Sequence, residues 1–248
     1  MGKYLKKFNT HADYETFISD DFIKPNVSYC VQENEVHYNP YVDPCQQHDY
    51  VEIGGIKWAT KNVGACDVTD IGVYFQWGDT QGYTADQIGS GEGQKYFGWT
   101  DYKYSNNGGS TVADMTKYNS VDGKTVLDVE DDAVVANWGG NWRMATEEEF
   151  QTLGDAVNTT WTDDYQGSGI AGLVCTDKTD SSKVLFFPAA GKYIDGNLRD
   201  NNISIVWSSS CLDRTASAYV LYNSQDYSPW IYYTGRNQGV PVRGILDE

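Results

Sequence analysis

From Gly172 onward the chain is a succession of short β-type segments: LVCT (173–176), KVLFFPAAG (183–191), ISIVWSSS (203–210), SAYVLYN (217–223), WIYYT (230–234) and VPVRGIL (240–246). Each is rich in β-branched and aromatic residues, and each is closed by glycine or a polar turn. Such pieces are too short for crossover units and too regular for a coil. They predict a small mixed or antiparallel sheet with much loop. Upstream, only two stretches carry a helical period. EDDAVVANW (130–138) predicts a short helix capped by Asp131 or Asp132 and stopped by Gly139-Gly140. Thr146-Glu147-Glu148-Glu149 is a capping box, with Phe150, Leu153 and Val157 following on one face. The fold class expected is therefore α+β, with about two helices.

The region before residue 49 reads differently. Thr10 and Asp13 can open a helix that places Tyr14, Phe17 and Ile18 on one face. VSYCV (27–31) and EVHYN (35–39) predict a hairpin, and Pro40, Pro44 and Gln46-Gln47-His48 predict a linker. A boundary is expected near residue 48, separating a small attachment or assembly segment, 1–48, from a larger domain, 49–248. In that domain Gly54-Gly55 predicts a tight turn between two strands, and GVYFQWGD (72–79) a strand ending in a turn. Residues 80–125 lack periodicity and read as an insertion packed down by Tyr96, Phe97, Trp99, Tyr102 and Tyr104. Trp142, Phe150, Leu153, Phe186 and Trp207 are the expected core.

Charge and chemistry exclude several classes. The net charge is -17 over 248 residues, so the basic footprint that a nucleic-acid surface needs is missing, and anionic membranes would repel the chain. No apolar run is long enough to span a bilayer, and the N-terminus shows no secretory h-region, so no membrane insertion is expected. The three histidines (His11, His37, His48) all lie before residue 49, and no catalytic triad can be built from local motifs. The five cysteines (Cys30, Cys45, Cys66, Cys175, Cys211) are scattered, which predicts reduced, buried thiols rather than a disulfide framework or a zinc site. Asp128, Glu130, Asp131 and Asp132 could collect calcium but lack the calcium-loop spacing, so capping and solvation are expected there and no metal or cofactor is assigned.

Several segments taken together resemble a known family. WATKNVG (58–64), YFQWGD (74–79), EDDAVVANWGGNWRMATEEEFQTL (130–153), LFFPAAG (185–191) and VWSSS (206–210) are similar, in order and spacing, to the fibrobacter major paralogous domain of gut bacteria and their phages. The resemblance covers roughly residues 50 to 246. It implies a C-type lectin-like fold, shared with formylglycine-generating enzymes. The C-terminal half also resembles the variable proteins of diversity-generating retroelements, whose final segment carries adenine-directed substitutions and binds the ligand. Their pattern usually ends near RPV, where this chain reads Val240-Pro241-Val242-Arg243-Gly244-Ile245. Residues 1–48 are similar to N-terminal segments of gut-phage structural proteins.

The composition of the tail fits that resemblance. After Lys192 no lysine follows, and the only later glutamate is Glu248. Mutating the adenines of an AAC codon reaches Tyr, Ser, Asn, Asp, Thr and Arg, but not Lys, Glu, Gln, Met or Trp. Gln225, Trp230 and Gln238 would then be scaffold positions. Tyrosine also supplies large, rigid contact area at low entropic cost. A binding segment over 207–243 is expected, with Asp213, Arg214, Tyr219, Tyr222, Asn223, Asp226, Tyr227, Trp230, Tyr232, Tyr233, Arg236 and Asn237 as ligand-binding residues. The same composition also suits an ordinary tyrosine-rich strand region with alternate side chains in the core.

The resemblance implies a non-enzymatic recognition protein of a gut phage, tail-associated or receptor-binding. Its partner would be a protein or glycan receptor on a cell surface, and homo-oligomers occur among such binders. Two alternatives remain: a bacterial surface adhesin or glycan-binding module, and an enzyme of the formylglycine-generating type. The location expected is the virion or the extracellular surface.

Overall fold

The computed structural model describes residues 45, 47–212, 215–227 and 229–248, together with the backbone of three strands within residues 4–38. The chain divides into two units, Met1–Val42 and Asp43–Glu248. In the first, β2 (Val27–Val31) and β3 (Val36–Tyr38) form the expected antiparallel hairpin, and β1 (Tyr4–Phe8) runs parallel to β2. The helix expected after Thr10 lies outside the described residues.

The division falls a few residues before the boundary expected at 48, because the intervening stretch is fastened to the second unit. Cys45 and Cys66 form a disulfide, and the His48 ring stacks on Trp138 at 4.0 Å. This corrects the expectation of reduced thiols. A pairing across 21 residues has no local signature, so only the folded path brings the two cysteines together. Cys175 and Cys211 are buried, as expected, and neither belongs to that disulfide.

The second unit is α+β: mostly antiparallel strands in small sheets, with two helices among the described residues. β4 (Tyr50–Ile53) turns into β5 (Ile56–Asn62) with Ile53 opposite Ile56. Gly54 and Gly55 have φ of +62° and +77°, the left-handed pair that a primed hairpin turn demands. The last strand, β17 (Arg243–Leu246), inserts between β5 and β7 (Trp142–Met144). The chain end thereby closes the first sheet. β6 (Tyr74–Phe75) pairs with β16 (Val240–Pro241), so the 72–79 strand is shorter than expected.

Helix α1 (Ala133–Trp138) is capped by Asp132, whose carboxylate accepts from Val134 N at 2.8 Å and Val135 N at 3.0 Å. It also accepts from Met144 N at 2.8 Å, which ties the cap to β7. Helix α2 (Glu147–Ala156) begins at the expected capping box: Glu149 N donates to Thr146 Oγ1, and Thr146 N to Glu149 Oε2. Val157, expected on the apolar face of α2, is buried but opens a strand instead, β8 (Val157–Thr162).

β8, β9 (Gly172–Asp177) and β10 (Val184–Pro188) form an antiparallel sheet in the order β10-β9-β8. A hairpin of β11 (Lys192–Ile194) and β12 (Asn197–Arg199) follows. The final sheet is β13 (Ile203–Cys211), β14 (Ser217–Ser224) and β15 (Trp230–Gly235), with β14 central. Between these elements lies one core that includes Trp58, Phe150, Leu153, Leu173, Leu185, Phe187, Leu221 and Ile245. Trp58 and Phe150 stack with centroids 5.4 Å apart. Phe150, Leu153, Phe186 and Trp207 are buried as expected, whereas Trp142 is half-buried in an aromatic group with Trp138 and His48. In the 80–125 insertion Phe97 and Tyr102 are buried, and the half-buried Trp99 and Tyr104 pack against Tyr102, Met115 and Ala216. Tyr96 stays at the surface. No helix among the described residues is long and apolar enough to cross a membrane.

Candidate functional site

β14 and β15 carry most of the tyrosines expected to bind. In an ideal strand, successive side chains alternate between faces. Here burial departs from that pattern in each strand, although the register between them is unbroken. β14 buries two successive residues, Val220 and Leu221, and β15 exposes two, Tyr232 and Tyr233. Val220 lies opposite Tyr232, and Tyr219 opposite Tyr233. The core therefore takes two adjacent aliphatic side chains, and the outer strand offers two adjacent rings to solvent.

Those rings belong to a continuous group. Tyr222 and Tyr232 sit diagonally across the two strands with centroids 5.5 Å apart. Tyr227, from the connecting turn, meets Tyr222 at 6.1 Å and Tyr232 at 6.4 Å. Tyr233 stacks on Tyr232 at 5.1 Å, with the ring planes 14° apart. Tyr227, Tyr232 and Tyr233 are 55%, 40% and 50% exposed, and Tyr222 is half-buried. The turn is held by Ser224, whose N–H and hydroxyl both donate to the Tyr227 carbonyl and whose Oγ accepts from Tyr227 N. Partial burial raises the Tyr222 phenol above its ordinary range, and the nearby Asp200 adds to the effect. Asp226, in the same turn, is exposed.

The structure sorts the other expected residues. Tyr219 is half-buried and outside the ring-contact group. Asp213 and Arg214 lie outside the described residues. Trp230 turns inward: it is half-buried, and its indole N–H donates to the Phe150 carbonyl at 2.6 Å. The indole is thereby tied to helix α2 and stands apart from the exposed ring group.

Three further expectations are overturned. Asn223 is 1% exposed, because it follows Tyr222 in β14 and points to the opposite face, opposite Ser204 in the register. Arg236 is fully buried, not at a rim. Its Nη1 donates to the Tyr118 carbonyl at 2.9 Å, its Nε donates to the Ser217 carbonyl at 3.3 Å, and its guanidinium lies 4.8 Å from the Trp77 ring centroid. Asn237 is also buried, donating to the Phe97 carbonyl and accepting from Gln76 Nε2 at its own carbonyl. The tight turn after β15 aims both side chains at the 80–125 insertion, so they clamp that insertion down.

A second cluster gathers Asp128, Glu130 and Asp131, whose carboxylate oxygens lie within 4.8 Å of one another. Lys117 stands among them, at 2.8 Å from Asp128 and 3.2 Å from Glu130. Lys103 Nζ reaches Asp131 at 3.0 Å and Lys124 Nζ reaches Asp128 at 2.6 Å. The ammonium groups already occupy the positions from which a cation would be held. Asp132, grouped with these in the sequence, caps α1 instead. Burial pushes the Cys175 thiol well above its ordinary range, despite the neighbouring Arg243. A thiolate nucleophile needs the opposite shift.

Asp200 had no signal in the sequence: it precedes Tyr222 by a full strand and approaches it only through folding.

No protein-family model matches the chain, and neither a curated protein nor a solved structure matches it.

Proposed function

We propose that the chain is a non-enzymatic recognition protein. On this reading, residues 49–248 form a C-type lectin-like domain whose surface on β14, β15 and their turn binds a receptor. One observation carries the proposal: the contiguous Tyr222–Tyr227–Tyr232–Tyr233 group, largely exposed on two strands and their turn, while Ala218, Val220, Leu221 and Thr234 of the same strands are buried. Exposed aromatic groups of this kind mark interaction surfaces. The tail composition, tyrosine-rich and free of lysine, supports the variable protein of a phage retroelement, with residues 1–48 as its attachment segment. The receptor would be a protein or a glycan on a cell surface.

The test is binding of the full chain to intact gut bacterial cells, compared with a Tyr227→Ala/Tyr232→Ala/Tyr233→Ala variant. Binding that survives the triple substitution while the fold is intact sinks the reading. A reverse transcriptase and a near-copy of the tail beside the gene are expected for the retroelement assignment.

The Cys45–Cys66 disulfide favours a second reading, an exported bacterial adhesin, because such bonds persist in oxidising compartments. Thiol trapping on the producing cells separates the two. An oxidised pair on the surface of unlysed cells supports the adhesin, and a reduced pair inside them supports the phage protein.

A further inference from the structure

The tyrosine group has a counterpart elsewhere in the same molecule. Tyr104 and Tyr118 meet edge-on at 5.5 Å, and Asp131 accepts a hydrogen bond from the Tyr118 hydroxyl at 2.6 Å. Two ammonium groups are held there: Lys103 Nζ is 4.7 Å from the Tyr104 centroid and Lys117 Nζ 5.0 Å from that of Tyr118. Crossed tyrosine rings beside a carboxylate therefore hold cations in this fold. The ring faces carry negative electrostatic potential, and the carboxylate adds a full charge.

The surface group repeats the crossed rings, with no cation over their faces among the described residues. Tyr222 and Tyr232 lie 5.5 Å apart with planes at 53°, and Tyr227 meets Tyr232 nearly at right angles. Asp200 lies by strand β15: its carboxylate is 3.4 Å from Lys192 Nζ, which is itself 3.4 Å from Thr234 Oγ1, and Asp226 is exposed in the turn. Yet among the described residues no ammonium or guanidinium stands over any of these four rings. Lys192, near the sheet at Thr234, is mostly buried and faces Asp200 at 3.4 Å. Arg199, beside Asp200, is exposed. Beyond residue 200, the described arginines Arg236 and Arg243 are both fully buried, so that part of the described surface shows no positive charge. The whole chain carries -17.

Resting on the recognition reading above, we propose that the Tyr222–Tyr227–Tyr232–Tyr233 group, with Asp200 and Asp226, receives a lysine or arginine side chain of a protein receptor. The guest charge would lie against the ring faces while the flanking carboxylates draw basic surfaces in and turn acidic ones away. A neutral glycan could stack on the rings but would leave the exposed Asp226 carboxylate without a role.

The test selects binders to the full chain from a random peptide library and, in parallel, from an array of neutral glycans, both at physiological salt. Two counter-screens follow: the Tyr227→Ala/Tyr232→Ala/Tyr233→Ala variant, which keeps the charge, and Asp200→Asn/Asp226→Asn, which keeps the rings. Asparagine tolerates the positive φ of +51° at position 200. The expected result is peptides, lost by the tyrosine variant, that share a Lys or Arg at one position. Changing that residue to Gln should weaken binding about tenfold, with a comparable loss for the aspartate variant. Tyrosine-dependent peptides indifferent to the Lys-to-Gln change, or tyrosine-dependent neutral glycans alone, would overturn the cation assignment and leave the recognition reading standing. Binders that all survive the tyrosine substitutions would overturn both. Melting curves of the two variants, overlaid on that of the parent, exclude loss of fold as the cause.

Discussion

Trp230 and Phe150 are joined by a 2.6 Å hydrogen bond from indole N–H to main-chain carbonyl, which fastens strand β15 to helix α2. The indole lies where a side chain at Gly154 would stand: a Cβ there would come 2.3 Å from Trp230 Nε1. Alanine in place of a helical glycine ordinarily stabilises by about 0.5–1 kcal/mol. Here the sign should reverse, with Gly154→Ala costing about 1–3 kcal/mol through overpacking. Urea unfolding of Gly154→Ala and of Gly154→Ala/Trp230→Leu reads this out. A stabilised single variant would mean that the contact is not tight.

Arg236 and the exposed tyrosines should behave oppositely. Arg236→Met leaves the Tyr118 carbonyl without its donor in a buried site and removes the guanidinium from the Trp77 ring, at a cost of about 3 kcal/mol. Tyr227→Ser, Tyr232→Ser and Tyr233→Ser should each change stability by no more than about 0.5 kcal/mol. Denaturant midpoints for the four variants rank them. Equal effects would place the tyrosines in the core instead.

Asp131 makes stability depend on acid. Burial works to raise its carboxyl pKa, but hydrogen bonds from Lys117, Tyr104, Tyr118 and Lys103 outweigh that and hold it well below the ordinary range. The unfolded carboxyl titrates at about 3.9, so between that value and the lower folded one the folded state binds fewer protons than the unfolded state. The contribution is complete above the unfolded value and is lost as pH falls through the folded one. Asp131→Asn should therefore be less stable than the parent at neutral pH, and the gap should begin to narrow only as the pH falls below about 4, closing well below that. A constant gap across acid titration would show that charge plays no part.

Reduction should weaken the second unit. Closing a loop of this length stabilises by about 3 kcal/mol in the chain-entropy account, which corresponds to roughly 6–12 °C in melting temperature for a domain of this size. A reductant should lower the melting temperature of the parent and leave Cys45→Ala/Cys66→Ala unchanged. A parent indifferent to reductant would mean that the bond contributes nothing to the fold.

What the sequence determined by itself was local. The Thr146 capping box needs partners only three residues away, and Gly54-Gly55 needs only its own left-handed dihedrals, so both were legible. The segments after Gly172 also announced themselves, since β-branched and aromatic runs between turns need no knowledge of what they pair with. β8 escaped because residues 158–160 of this outer strand are polar and exposed, which removes the apolar signal. The tertiary structure alone decided the insertion of β17 between β5 and β7, the meeting of Cys45 with Cys66, and the side of the chain that faces water. The tyrosine content of the tail pointed to a surface. It could not say that Tyr232 and Tyr233 both turn outward while Arg236 and Asn237 turn in. That choice depends on which face of each strand the rest of the molecule covers and on a tight turn over a distant insertion. Both are set by contacts between residues far apart in the chain, and no local pattern encodes them.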